Sequence, residues 1–187
     1  KNKIEIIIRN DNPKHTLKLD NTICKKHKLV IINEKKKSIG ELKSIKYLLK
    51  KSNGKIITII ADDDLILKNS FDEIDKINKN FDCVVFPVTS NKKYLKKKSL
   101  LNSLSQTDIL SLFLKRKINL SGTIGTFYES NFLKEAFSKF KNTKYNFDTI
   151  LTIKSLLEIN CIFINKINGY NNINTSKISS GNIDLKT

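Results

Sequence analysis

The chain alternates short apolar runs with segments of helical periodicity, and this order constrains its fold more than any other feature. Such alternation is typical of βα units that place helices on a mostly parallel sheet. The apolar runs predict strands at Ile4–Ile8, Leu29–Ile32, Lys55–Ala61, Asp82–Val88, Ser121–Tyr128 and Cys161–Asn165. Helical spacing predicts helices at Pro13–Ile23, Ser38–Ser52, Asn69–Asn78, Ser99–Lys115, Glu129–Phe140 and Phe147–Glu158. We therefore expect an α/β fold.

At 187 residues the chain has the length of a single domain. Hydrophobic residues at 39% and charged residues at 28% indicate a folded globular protein. The apolar runs are much shorter than the roughly 18 residues that span a bilayer. The sequence begins with Lys1 rather than methionine, so we expect it to be part of a longer protein. Its three widely spaced cysteines argue against a disulfide framework or a zinc site and favour a reducing, cytoplasmic compartment.

The chain is strongly basic, with 35 lysines and arginines against 18 acids and a formal net charge of +17. Almost all of this charge is lysine, with arginine at Arg9 and Arg116, whereas nucleic-acid readout favours arginine. The lysines are scattered, and no RNA- or DNA-binding motif accompanies them. We interpret them first as a solvated surface, second as a means of attraction to an anionic membrane or substrate, and last as a nucleic-acid interface.

Three carboxylates, Asp62, Asp63 and Asp64, directly follow the predicted strand Lys55–Ala61. In open α/β sheets, ligands bind beyond the carboxyl ends of the strands. If the segment is extended, Asp62 and Asp64 point to one side and Asp63 to the other. Adjacent carboxylates repel one another unless a cation neutralises them, and hard oxygen ligands suit Mg²⁺ or Mn²⁺. A polar turn with an aspartate that caps the next helix is the structural alternative.

The stretch from Ser38-Ile39-Gly40 through Asn53-Gly54, the apolar run, the three aspartates and Leu65-Ile66-Leu67 resembles the inverting glycosyltransferases of the large family two. In that family a helix ends in a glycine, a strand follows, and the strand ends in a short acidic motif of the DXD type. Ile6–Asn12 is similar to the family's first strand and the asparagine-containing turn that contacts the nucleotide. The segment between these two blocks is shorter than the family's usual pair of βα units.

The resemblance implies a GT-A-like fold, a three-layer α/β/α sandwich with a mostly parallel central sheet. It covers residues 3–90 through recognisable motifs and residues 118–180 more loosely. Residues 1–187 are then expected to form one GT-A-like domain. Within it, about residues 1–90 are the nucleotide-sugar-binding half, and about residues 91–187 are the acceptor-side half and tail.

The resemblance also implies which residues bind the donor. Asp62, Asp63 and Asp64 jointly bind a divalent metal, Mn²⁺ or Mg²⁺, that bridges the donor diphosphate, and Asp62 and Asp63 also contact the donor. The nucleotide pocket lies near the first turn and near Asn33 after the second strand, at Arg9, Asn10, Asp11, Asn12 and Glu34. Family members usually carry an aspartate for the uracil ring where this chain has Glu34. A UDP-sugar is the favoured donor.

The resemblance places the catalytic base on an aspartate near the start of a late helix, often preceded by a glutamate. The matching residue is Asp148, which Phe147 precedes in place of the glutamate. Asp148 would take the proton from the acceptor hydroxyl as that hydroxyl attacks the anomeric carbon. An acid in the first turn of a helix is also stabilised by the helix dipole, which is the structural alternative. Asp108 and Glu129 are the next candidates for the base.

The implied function is inverting, metal-assisted transfer of a hexosyl or N-acetylhexosaminyl group from a nucleotide-diphosphate sugar to a glycan or lipid-linked acceptor. We expect this transfer to serve bacterial cell-surface polysaccharide synthesis, in the cytoplasm and with peripheral contact to the inner face of the membrane. The alternatives are a nucleotidyltransferase or an inactive nucleotide-sugar-binding relative, and after these a basic nucleic-acid-binding module. Because the glycines occur singly, phosphate-loop ATPase and dinucleotide-binding functions are excluded.

Overall fold

The computed structural model describes residues 4–18, 28–33, 36–90, 104–140, 147–158, 160–167 and 169–170. Its strands are β1 (Glu5–Asn10), β2 (Lys28–Asn33), β3 (Ile56–Ile57), β4 (Leu65–Ile66), β5 (Cys83–Val85), β6 (Val88–Thr89), β7 (Thr126–Glu129), β8 (Cys161–Phe163) and β9 (Gly169–Tyr170). Its helices are α1 (Glu41–Lys51), α2 (Lys68–Asp75), α3 (Gln106–Leu114), α4 (Ser130–Lys139) and α5 (Phe147–Leu157).

The chain divides into two compact units. The first unit consists of Lys1–Ile57 and Ser130–Tyr145, and the second consists of Thr58–Glu129 and Asn146–Thr187. In the part of the chain that the structure describes, no helix is long and apolar enough to cross a membrane.

In the first unit, β1 and β2 pair in parallel, in register from Glu5 opposite Lys28 to Asn10 opposite Asn33. Polar side chains join the strands at both ends of this ladder. Lys28 Nζ lies 2.6 Å from Glu5 Oε1 at one end, and Asn10 Nδ2 donates to Asn33 Oδ1 at 3.0 Å at the other. A slip of one residue would reverse the faces of every side chain and break both contacts, so these end pairs favour the observed register.

Helices α1 and α4 pack against each other in the first unit. Apolar residues on their facing sides are buried, namely Ile45, Leu49, Leu133, Ala136 and Phe137. Lys46 Nζ of α1 donates to the carbonyl of Phe140, just after α4, at 2.6 Å. Lys134 Nζ of α4 donates to the carbonyl of Ser52, just after α1, at 3.1 Å. Because carbonyls at a helix end lack partners within the helix and attract cations, each helix caps the end of the other.

In the second unit, β5 is fully buried and lies between β7, which is antiparallel to it, and β8, which is parallel. Strand β9 lies between antiparallel β4 and parallel β6. The core beside β5 contains Ile74 and Phe71 of α2, with the ring of Phe127 edge-on to Phe71 at 5.4 Å and to Phe86 at 5.8 Å. Edge-to-face geometry is the favourable arrangement for aromatic pairs.

Helices α3 and α5 also pack together in this unit. Gln106 Nε2 at the start of α3 donates to the carbonyl of Glu158, just after α5, at 2.6 Å. A capping box begins α3: the Asp108 N–H donates to Ser105 Oγ at 3.1 Å, and the Ser105 N–H donates to Asp108 Oδ2 at 3.2 Å. The hydrogen bonds from Ser105 lower the pKa of Asp108 below its ordinary value.

The predicted mixed α/β fold is confirmed. Several element predictions are wrong in part, and two examples show why. The predicted strand Lys55–Ala61 is a strand only at Ile56–Ile57. An apolar run does not show how many of its residues pair with a neighbouring strand. The predicted helix Pro13–Ile23 begins instead with a turn at residues 13–15, and residues 19–23 lie outside the described residues. The ladders run in both directions, so a mostly parallel sheet in a three-layer sandwich stays a prediction, as does the single domain.

The end of α3 contains an unusual backbone position. The Arg116 N–H donates to the Phe113 carbonyl at 2.9 Å, and the Lys117 N–H donates to the Leu112 carbonyl at 2.8 Å. These two bonds form a Schellman motif, in which the residue after the helix end adopts a left-handed conformation. Arg116 has φ 56°, and among the described non-glycine residues it is the one with positive φ. Glycine normally occupies this position, because a Cβ is strained there.

We expect Arg116→Gly to raise the free energy of unfolding by about 0.5 to 1 kcal/mol, because relief of the left-handed strain outweighs the added freedom of the unfolded chain. Urea unfolding measures this change. Lys117→Gly, the matched control at a position without positive φ, should lower the free energy of unfolding by a similar amount. A less stable Arg116→Gly variant would mean that the arginine side chain stabilises the protein more than its backbone strain costs.

Candidate active site

The carboxylate of Asp11, at the end of β1, holds the start of helix α1. It accepts hydrogen bonds from the Ser38 hydroxyl, from the Ile39 N–H at 3.1 Å and from the Gly40 N–H at 2.9 Å. Gly40, the residue before α1, has φ 82° and offers no side-chain cap of its own. Partial burial alone would raise the pKa of Asp11, but the hydrogen bonds from Ser38, Ile39 and Gly40 and the charge of Arg9 lower it.

The guanidinium of Arg9 lies among protein groups rather than in solvent. Its side chain is 5% exposed, and its Nε lies 3.6 Å from Asp11 Oδ1. The guanidinium carbon also sits 4.9 Å from the ring centroid of Tyr47 on α1, a cation–π distance. Arg9 therefore links the end of β1 to α1 both through Asp11 and through Tyr47.

Asparagines shape the loop that follows β1. Asn10 Nδ2 donates to the His15 carbonyl at 2.5 Å, and its Oδ1 accepts the Asn12 N–H at 3.1 Å. Asn33 Oδ1 accepts the Leu17 N–H at 2.8 Å, and Asn33 Nδ2 donates to the Leu17 carbonyl at 3.2 Å. The predicted nucleotide-pocket residues Arg9, Asn10, Asp11 and Asn12 thus form one connected cluster with Asn33. Glu34, the remaining predicted member, lies outside the described residues.

The acidic run lies in a turn in the second unit. The Asp64 N–H donates to the Ala61 carbonyl at 3.3 Å, which closes the turn. Asp62 is exposed, and Asp63 and Asp64 are half-buried. The run is therefore not extended, because the backbone reverses direction where a strand would continue, and the strand alternation considered for Asp62 and Asp64 does not apply to it. Directly after the run, β4 pairs with β9, so the turn is held at the edge of a sheet.

Within the described ranges, no three His, Cys, Asp or Glu side chains gather closely enough to hold a metal ion. A site built from all three aspartates stays a prediction. A cation that needs fewer protein ligands is compatible with the turn, because Mg²⁺ with a nucleotide commonly uses one or two carboxylates, with phosphates and waters as its other ligands.

Asp148 lies in the first turn of α5 against a polar turn that precedes β7, Ser121-Gly122-Thr123, which we call the 121–123 turn. Ser121 Oγ donates to Asp148 Oδ1 at 3.0 Å, and Thr123 Oγ1 donates to the same oxygen at 3.1 Å. Burial raises the pKa of Asp148 above its ordinary value, although the Ser121 and Thr123 hydroxyls and the backbone of the turn act in the opposite direction. The aspartate is thus a half-buried carboxylate supported by several donors.

Gly122 lets the 121–123 turn approach α5 closely. A Cβ at this position would lie 2.6 Å from the Asp148 carbonyl oxygen and 2.9 Å from the Thr152 backbone nitrogen. Both are backbone atoms, so neither can rotate away. The turn is also fixed from the side of β7, since the Tyr128 hydroxyl donates to the Gly122 carbonyl at 2.5 Å and Thr126 Oγ1 donates to the Ser121 carbonyl at 2.6 Å.

Sequence reasoning missed Ser38, Ser121, Gly122 and Thr123. Residues 121–125 were predicted as the start of a strand, but β7 begins at Thr126. The Ser-Gly-Thr sequence is a recognisable turn signal. Its meeting with the start of α5, more than twenty residues later in the chain, follows from no local pattern. Asp108, an alternative base, is instead engaged in the cap of α3.

Comparison with known proteins adds evidence about the fold. No family model matches the chain, and no curated protein sequence matches it. Solved structures of S. aureus TarS residues 1–349 do match. The complex with UDP-GlcNAc matches with a TM-score of 0.60 and 19% identity over 95% of this chain and 52% of that chain. The complex with UDP gives a TM-score of 0.56 and 19% identity over 89% of this chain and 50% of that chain.

TarS residues 1–349 alone match with a TM-score of 0.52 and 18% identity over 89% of this chain and 50% of that chain. Over this part of its length the chain shares the fold of TarS residues 1–349. It spans about half the length of the TarS structures it matches. At this identity the likeness establishes the fold alone. Membrane contact and cytoplasmic location stay predictions.

Replacement of Asp11 by asparagine tests whether this carboxylate stabilises the fold or binds the donor nucleotide. If it caps α1, Asp11→Asn should lower the free energy of unfolding at pH 7 by about 1 to 2 kcal/mol. The folded-state pKa of Asp11 is lowered from its ordinary value of 3.8. The difference in unfolding free energy between wild type and variant should therefore be fully present at pH values above 3.8 and should vanish as the pH falls through the lowered folded-state pKa.

Urea unfolding at pH 7 and under acidic conditions measures this difference, with exposed Asp72→Asn on α2 as a control expected to change stability by less than about 0.5 kcal/mol. An Asp11→Asn variant of unchanged stability that loses UDP affinity would instead assign Asp11 to the donor pocket.

Proposed function

We propose that this chain is a glycosyltransferase that moves a sugar from a UDP-sugar to a hydroxyl group of a glycan or lipid-linked acceptor, in the synthesis of a bacterial cell-surface polysaccharide. The observation that carries the proposal is the structural likeness to TarS over 95% of the chain, since TarS has been captured with UDP-GlcNAc and with UDP. An N-acetylhexosaminyl donor is the natural first choice. The proposed transfer inverts the configuration at the anomeric carbon.

The donor diphosphate is proposed to bind at the turn of the acidic run. Asp62, Asp63 and Asp64 lie within one turn, with Asp62 exposed to solvent. One or two of them would hold Mn²⁺ or Mg²⁺ together with donor phosphates. When bound, the cation neutralises charge on the leaving diphosphate. The chain's own part is to fix the carboxylates at a sheet edge, through the pairing of β4 with β9 immediately after them.

Asp148 is proposed as the general base. A base works best when its pKa is not far below the working pH, and burial raises the pKa of this carboxyl. The 121–123 turn keeps the carboxylate in one orientation through two hydroxyl donors. In the proposed step, an acceptor hydroxyl attacks the anomeric carbon, its proton passes to an Asp148 oxygen, and the bond to the donor diphosphate breaks.

The alternative is a relative that binds nucleotide sugars without turnover. The same contacts favour it, because a carboxylate already engaged by Ser121 and Thr123 also fits a purely structural role at the start of α5. Donor binding alone does not separate the two functions. Release of UDP from UDP-GlcNAc, with and without a panel of glycan acceptors, does separate them.

The acidic run should make UDP binding depend on a divalent cation. We expect Mn²⁺ to strengthen UDP binding to the wild-type protein by about tenfold or more and EDTA to abolish the gain. Asp63→Asn should remove most of this gain, while Asp72→Asn, which changes an exposed acid on α2, should retain it. Isothermal titration calorimetry measures these affinities. Identical UDP binding with Mn²⁺ and with EDTA would rule out the proposed metal site.

Asp148→Asn keeps the size of the side chain and removes the proton acceptor. For a general base, turnover measured as UDP release should fall by about 10² to 10⁴-fold while UDP affinity is unchanged. Asp108→Asn provides the matched control, because it weakens a helix cap elsewhere and should lower the melting temperature without loss of turnover. Melting temperature and turnover are measured on the same preparation. An Asp148→Asn variant that is less stable but fully active would assign Asp148 a structural role.

A further inference from the structure

We propose that Ser121 and Thr123 are positioning residues that jointly hold the Asp148 carboxylate, so that either hydroxyl alone supports the ionised base and the loss of both does not. This inference rests on the proposed role of Asp148 as the general base. It adds that two hydroxyl donors hold the carboxylate and that either one is sufficient. Such redundancy can be measured, because removing both donors should have a larger effect than the sum of the two single removals.

The geometry of the three side chains creates the redundancy. Both hydroxyl oxygens lie within hydrogen-bond distance of Asp148 Oδ1, at 3.0 and 3.1 Å. The two hydroxyl oxygens also lie 3.0 Å from each other. Each hydroxyl carries one proton, so three contacts share two protons. Because the contact between the two hydroxyls can hold only one proton, at least one of the two protons points at the carboxylate whenever both are used within this triangle.

The backbone of the 121–123 turn keeps the triangle in place. The Thr123 N–H donates to Ser121 Oγ at 3.2 Å, so this oxygen has a donor of its own and its hydroxyl proton is available to Asp148. Gly122 allows the turn to reach the backbone of α5, and fully buried Tyr128 holds the Gly122 carbonyl. If one hydroxyl is removed, the other is therefore expected to stay where it is.

Among the described residues, burial and hydrogen bonds are the leading causes that shift the pKa of Asp148. Tyr128 of β7 is a nearby titratable group that senses the Asp148 charge, and burial raises its pKa well above its ordinary value. Farther along α5, Lys154 and Glu158 pair with each other at 2.8 Å. On α3, Asp108 is held by its own cap.

The test compares Ser121→Ala, Thr123→Val and the double variant with Thr152→Val. Thr152 Oγ1 donates to the main-chain carbonyl of Asp148 at 2.9 Å, so this control removes a hydroxyl from the same helix turn without a change at the carboxylate. Two quantities are measured in each protein: the titration of the Asp148 carboxyl carbon by NMR, assigned by its loss in Asp148→Asn, and the pH dependence of UDP release.

We expect each single variant to shift the titration of Asp148 upward only slightly and the double variant to shift it by about one pH unit, more than the sum of the singles. Because the base must be ionised, the acid limb of the turnover profile should move to higher pH by the same amount. On the acid limb, at pH values below the wild-type midpoint, turnover of the double variant should fall about tenfold, with UDP affinity unchanged. Thr152→Val should lower the melting temperature and leave both the NMR titration and the pH profile of turnover unshifted. The conservative variants Ser121→Thr and Thr123→Ser each keep a hydroxyl and should therefore behave like the wild-type protein.

Additive shifts, or an Asp148 titration that the double variant leaves unmoved, would overturn the proposal. If the double variant does not fold, a full upward shift in either single variant would overturn it equally, because one hydroxyl would then not suffice. Full turnover in Asp148→Asn would refute the general base while the NMR titrations still decide whether the two hydroxyls hold the carboxylate. The failure of the positioning pair and the failure of the base are therefore distinguishable.

Discussion

The contact between the Asp148 carboxylate and the 121–123 turn is the interaction on which the candidate catalytic region depends. It fixes the first turn of α5 against the residues that lead into β7, and it does so with a half-buried carboxylate. Removing a carboxylate from water is costly unless donors surround it. Gly122 makes the arrangement feasible, since any Cβ there would collide with the backbone of α5. Orientation, burial and hydrogen bonding of Asp148 thus have one common structural origin.

In the first unit, the carboxylate of Asp11 similarly holds the start of a helix by accepting hydrogen bonds from distant residues. A helix start presents backbone N–H groups that have no partner within the helix. Gly40 brings no capping side chain to α1, and Asp11 accepts hydrogen bonds from the N–H groups of Gly40 and Ile39 from the end of β1. Arg9 supports Asp11 and also lies over Tyr47 of α1. Two residues that a family resemblance assigns to nucleotide binding therefore hold a strand and a helix together.

Much of the fold could be predicted from the sequence because its signals are local. The apolar positions of α1 and α4 recur at helical spacing, and those helices occur where the spacing predicts them. The apolar run before Asp62 shows a different limit. It was expected to form one long strand, yet only Ile56–Ile57 is paired, and Ile56 and Ile60 are exposed. An apolar run by itself therefore shows neither that the segment is buried nor that a neighbouring strand pairs with it.

The sequence by itself determined the longer helices and most of the strands, the acidic run after an apolar segment, and Asp148 at the start of a late helix. Each of these is a property of neighbouring residues. Only the tertiary structure decided what Asp11 and Asp148 contact, because their partners at Ile39–Gly40 and Ser121–Thr123 are far away along the chain. Chain folding brings such residues together through packing of whole elements, and a hydroxyl or a glycine carries no local sign of the carboxylate that it will meet.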